Sequence, residues 1–149
     1  MVYDEEAIES LVDRFNSQTL PKNEWTHEAH IIVAFWYSSR YTDAEALIKV
    51  RNAIRNYNTA VGTINSDSSG YHETLTVFWL RIVRKYLSGK NGRIEASVNN
   101  FIAEGNADKG LPLKFYTREI LFSVQARKNW VAPDKVAMDE MLKSPTKYA

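Results

Sequence analysis

The chain of 149 residues contains no cysteine. That excludes a disulfide framework, a thiolate metal site and a cysteine nucleophile, and it fits a reducing compartment. Proline and glycine are scarce, at four and six residues, so few positions force a break in helical periodicity. The longest apolar run, Ile31 to Tyr37, is far too short to cross a bilayer. With 19 basic and 18 acidic residues the formal net charge is only +1. No global field draws the chain to nucleic acid or to an anionic membrane. The opening MVYDEEAIES is acidic and amphipathic, without the basic and apolar regions of a secretory signal. A glycine-rich phosphate loop, a G-x-S-x-G elbow and an H-E-x-x-H zinc motif are all missing, and HEAH is one residue short of the last. These absences describe a soluble, cytoplasmic protein with neither a nucleic acid nor a membrane as partner.

What is present is ordinary for one globular domain: 44% hydrophobic and 25% charged residues. Apolar positions recur with helical spacing almost throughout. Ile8, Leu11, Val12 and Phe15 share a face behind Asp4, a short polar residue suited to an N-cap. A second helix is predicted from about Glu24 to Arg40, apolar on all sides in its middle and therefore central. Thr42 and Glu45 have capping-box spacing and start a third, with Leu47, Val50, Ile54 and Tyr57 on its stripe. A polar loop spans 59–70. A fourth helix follows from Tyr71 to about Leu87, a fifth carries Ile94, Val98, Phe101 and Ile102, and a last one runs from about Tyr116 to Lys128 with Ile120, Leu121 and Val124 buried. No segment alternates with period two. The expectation is a single all-α domain over residues 1–149, a helical bundle of five to six helices.

All three histidines fall in two short strings, NEWTHEAHIIVAFWY and GYHETLT. His27 and His30 are three apart, so they share a helix face. His72 lies on the inward stripe of the fourth helix, one and two turns before Leu75 and Trp79. A short link after the second helix and simple up-down order make the second and fourth helices parallel. Their first turns then meet at one end of the bundle, beside the 59–70 loop and the start of the last helix. Neutral imidazole ligates zinc, nickel, iron or copper. Three such ligands with open positions are the pattern of a catalytic metal. The first expectation is thus a metal-dependent enzyme acting on a small-molecule ligand. His27, His30 and His72 hold a divalent ion, Glu73 (or Glu28) acts as a further ligand or general base, and Trp25, Tyr71, Tyr116 and Arg118 contact the substrate. On that reading His30 and His72 are removable without loss of stability. A second reading needs no metal: converging helix starts attract anions, and the same residues bind a small anionic ligand. A third is a helical interaction module in which the histidines only pack. The basic spots Arg51, Arg55, Arg81, Arg84 and Lys85 read as solvated helix faces, and the aromatics Phe35, Trp36, Tyr37, Phe78 and Trp79 as core.

The strings W-T-H-x-x-H at Trp25 to His30 and Y-H-E-T at Tyr71 to Thr74 resemble a family of small all-helical bacterial proteins of unassigned function. The likeness extends to LFSVQARKNWVAPD near the C-terminus. It implies a helical fold and carries no activity. A more distant architectural analogy is the damage-inducible, thiol-transferase-like bundle superfamily, whose histidines are spaced differently; none of its residues transfers.

Overall fold

A helix starts where a side chain can take one of its first free amides. In the computed structural model, which describes residues 2–136, that rule marks nearly every helix start. Asp4 accepts from the Ala7 amide at 2.8 Å and opens α1, Glu5–Asn16. Thr26 accepts from Ala29 at 3.2 Å and opens α2, His27–Arg40. Thr42 opens α3, Asp43–Ala60, with both halves of the capping box formed: Glu45 N to Thr42 Oγ1 at 3.3 Å and Thr42 N to Glu45 Oε1 at 3.1 Å. α4, Glu73–Leu87, is capped by His72, and α5, Ile94–Ala103, has no side-chain cap.

The single long C-terminal helix of the sequence reading does not form. A 3-10 turn at Leu111–Lys114 leads into two short pieces, α6 at Arg118–Leu121 and α7 at Val124–Lys128. The described residues therefore hold seven α-helices and no strand. Two hydroxyls cause the split. Thr117 accepts from Ile120 N at 3.3 Å, Ser123 accepts from Ala126 N at 3.1 Å, and the Ser123 hydroxyl donates to Ile120 O at 2.7 Å. Each hydroxyl offers the chain a fresh start that competes with a continued helix. The break turns Val124 outward, where it is exposed, while Leu121 stays buried.

α2 is the centre of the fold. Eight of its residues are buried, from Ala29 to Ser38, and it packs on α1, α3, α4 and α5. Burying one of its isoleucines or Phe35 contributes about 1.5–3 kcal/mol. Phe35 meets Phe101 edge-on at 5.2 Å and Tyr86 at 6.3 Å. α2, α3 and α4 also pack mutually. The first turns of α2 and α4 and the last turn of α3 line one cavity, the arrangement that up-down-up order produces. No helix among the described residues is long and apolar enough to cross a membrane.

Candidate functional site

The cavity at that end of the bundle has a volume of about 520 Å³. α2 contributes His27, His30, Val33 and Ala34, and α3 contributes Val50, Ile54 and Asn58. α4 and the residues before it contribute Tyr71, His72, Leu75, Thr76 and Trp79. Trp25, Thr63, Gly70, Lys109, Leu113 and Phe122 complete the wall. Most of this lining is apolar or aromatic, the usual character of a small-molecule site.

Thr26 decides where the two α2 histidines go. Because its side chain caps the helix, neither histidine is needed at the helix start. His30 Nδ1 lies 2.7 Å from the Thr26 carbonyl. A carbonyl only accepts, so Nδ1 carries the proton and Nε2 keeps its lone pair. The ring stacks on Trp25 at 3.7 Å, and Trp25 stacks in turn on Phe15 at 4.4 Å. His30 retains accessible surface, yet protein surrounds it. It also lines the cavity. That enclosure pushes its pKa down to about 4, against the opposing pull of the Thr26 carbonyl. His27 is half-buried, edge-on to Trp79 at 5.1 Å. Its Nε2 is buried and has no hydrogen-bond partner. Burial lowers its pKa too; the Ala107 backbone opposes the shift from beside the ring, without meeting Nε2 in hydrogen-bond geometry, and Lys109 adds to it.

His72 is differently placed. Its Nδ1 accepts from the Leu75 amide at 3.1 Å, and its Nε2 lies 2.8 Å from the Leu121 carbonyl. The amide must donate and the carbonyl must accept, so the ring is neutral, protonated on Nε2, with both nitrogens engaged. Burial, with Arg127 nearby, holds its pKa below the usual value. The ring lines the cavity but has no lone pair to offer. No group of three His, Asp or Glu side chains able to hold a metal ion forms among the described residues. The three histidines thus line one cavity. His72 also caps α4, a structural role that the reading of it as a dispensable ligand did not include.

The carboxylates are equally committed. Glu73 receives both arms of Arg51, at 2.9 and 2.6 Å, and the Tyr71 hydroxyl at 2.6 Å. Burial raises its pKa, but Arg51 and Tyr71 outweigh that and hold it below the ordinary value. It does not line the cavity, and a carboxylate so held is a poor base. Glu28 accepts from the Tyr3 hydroxyl at 2.6 Å. Trp25 and Tyr71 do line the cavity, as walls. Tyr116 and Arg118 do not reach it: Tyr116 is buried and donates to Val131 O at 2.6 Å, and Arg118 is exposed at the start of α6.

The 59–70 loop borders the cavity through Thr63 and Gly70. Asn65 holds it: its Oδ1 accepts from Asn58 Nδ2 and from Tyr71 N, each at 3.0 Å, and its Nδ2 donates to Arg55 O at 3.3 Å. Gly70 has a φ of +78°, and a Cβ there would stand 2.6 Å from Asn65 Oδ1 and from Ile64 O. The sequence reading missed Lys109 and Asn58 as wall residues and took Trp79 as core alone. The stripe of α4 that carries His72 was the available signal for Trp79; Lys109 has none, because it arrives on an irregular segment. No protein-family model matches this chain, and no curated protein or solved structure matches it either.

Proposed function

We propose that the cavity is a metal-free binding site for a small, largely apolar molecule that presents a polar atom to His27 and His30. The observation that carries this reading is the buried Nε2 of His27, which has no partner in the fold. A buried polar atom left unpaired costs about 1–3 kcal/mol, and a ligand group at that position recovers it. The ring faces of Trp25 and Trp79 favour a flat apolar body. Both histidines are neutral at pH 7, because burial depresses their pKa values, so they serve as hydrogen-bonding groups without adding charge. A metal-dependent enzyme using His27, His30 and His72 would first have to break the cap of α4, and Glu73 would have to leave Arg51. His30 keeps a free lone pair, but with a pKa of about 4 it is a hydrogen-bond acceptor and a weak base at neutral pH.

The test uses chelator-treated protein and follows the heat of titration together with the melting temperature. Indole is expected to give a saturable binding heat and to raise the melting temperature of the parent, since only the folded state binds. His27→Ala should lose most of that response. Zinc and nickel are expected to have no comparable effect. A melting temperature that rises with zinc or nickel but with no flat organic probe overturns this reading in favour of a metal centre.

A further inference from the structure

The seam between α2, α3 and α4 is underfilled along more than the histidine cavity. A second groove of about 690 Å³ opens toward the opposite end of the same three helices. Leu80 lines both spaces. On α3 one stripe runs through both, with Leu47 in the second and Val50 and Ile54 in the first. On α2, Ser38 follows Val33 and Ala34 by one turn. The two spaces thus lie end to end along the same helices, with Leu80 in the wall of each.

The second lobe has a different chemistry. Its floor is apolar, from Ala46, Leu47 and Val77, and its rim carries Arg81, Arg84 and Lys85, with Asp43 the one carboxylate among the described residues that line it. Arg84 pairs with Asp43 and donates to the carbonyls of Ser38 and Tyr41 at 2.8 and 2.9 Å. Arg81 lies over the Trp130 ring at 4.4 Å. Lys85 is exposed and has no hydrogen bond or ion pair among the described residues. Ser38 is only 4% exposed, and its Oγ is buried without a hydrogen-bond partner. Buried hydroxyls are nearly always paired. An unpaired one in the wall of a lobe rimmed by cations marks where a ligand acceptor fits.

We infer that the two spaces join past Leu80 into one groove and that the molecule it binds is an amphiphile, with its apolar body in the histidine lobe and an anionic head, a carboxylate or a phosphate, at Ser38 and Lys85. The inference rests on the small-molecule reading of the histidine cavity and adds the ligand class. From His72 to Arg84 the groove follows α4 for about 18 Å, which suits a linear chain better than a compact ring. The first lobe offers neutral imidazoles, and its one cation is Lys109. The second lobe concentrates positive charge beside an apolar floor, the arrangement that holds a desolvated anionic head.

Titration of the full chain with dodecanoate, dodecyl phosphate, dodecanol and indole tests this. The two anionic amphiphiles are expected to bind at least about tenfold more tightly than dodecanol, since hydrogen bonds to charged groups are the stronger class, and their affinity should fall with added salt. Lys85→Glu, at an exposed site where folding is safe, should weaken dodecanoate by about tenfold or more and leave dodecanol and indole unchanged. Ser38→Ala should weaken dodecanoate several-fold. Equal affinity for dodecanoate and dodecanol overturns the inference, as does a loss of dodecanoate binding in Lys109→Glu but not in Lys85→Glu. Indole binding without any amphiphile binding overturns the inference and leaves the cavity reading standing. If no probe binds, both fall.

Discussion

At the start of α2 a threonine caps the helix, and the two histidines of the first turn are left to face the cavity. At the start of α4 no short hydroxyl or carboxylate occupies the cap position, and His72 does that work itself. The two segments hold the same residue type, at the same end of the bundle, against the same cavity. One histidine has both nitrogens consumed by backbone; another has a buried nitrogen with nothing to bond. The difference teaches that a side chain's availability for chemistry depends on whether a neighbour has already met the needs of the local backbone.

Breaking α4's start should give the largest effect. His72→Ala removes an N-cap, worth about 1 kcal/mol, and leaves the buried Leu121 carbonyl unpaired, at about 1–3 kcal/mol. A total loss of about 2–4 kcal/mol is expected in urea unfolding. His72→Asn restores a cap acceptor and should recover about 1 kcal/mol of it. A loss below about 0.5 kcal/mol would show that the imidazole is not the cap it appears in the geometry.

Acid should reveal the same commitment. The three histidines have folded-state pKa values below 6.5, to about 4 for His30. Between the folded and unfolded values the unfolded chain binds more protons, so stability rises with pH there. It should be fully present above about pH 6.5 and decline as pH falls toward 4. A plot of unfolding free energy against pH checks this. In His72→Asn the slope should be smaller but not zero, because His27 and His30 remain; an unchanged slope would remove His72 from the account.

The smallest effect is expected at α2. His27→Ala removes a group whose buried nitrogen bonds nothing, so the stability of the ligand-free protein should stay within about 0.5 kcal/mol of the parent. Indole binding should nevertheless be lost. A fall as large as that of His72→Ala would mean that His27 is held by the fold as firmly as His72 is, and the contrast between the two helices would disappear.

Much of the scaffold was legible from residue types alone. Asp4 and the Thr42–Glu45 box signalled helix starts that form as read, and the all-round apolar middle of α2 marked the centre of the core. The gathering of His27, His30 and His72 at one end followed from short links and alternating direction. The commitments of individual atoms were not legible. Imidazole is not among the usual capping groups, so nothing at His72 announced a cap. The engagement of Glu73 depends on Arg51, 22 residues earlier in the chain, a pairing that helical spacing does not reveal. Thr117 and Ser123 were visible as residues, but their power to interrupt a helix depends on the tertiary packing of Leu121 and Ala126.

Gly70 and Asn65 have an evolutionary consequence. The Asn65 oxygen serves the amide of Tyr71 and the side chain of Asn58 at once, and it lies where any side chain at position 70 would begin. Neither position can drift alone. A relative with alanine at 70 must redirect the loop and find new partners for two donors, and one that loses the amide at 65 must still move the Ile64 carbonyl, equally close to that Cβ, before it can give up the glycine. The two positions should covary across descendants of this chain, and the wall of the cavity nearest Thr63 should change shape whenever they do.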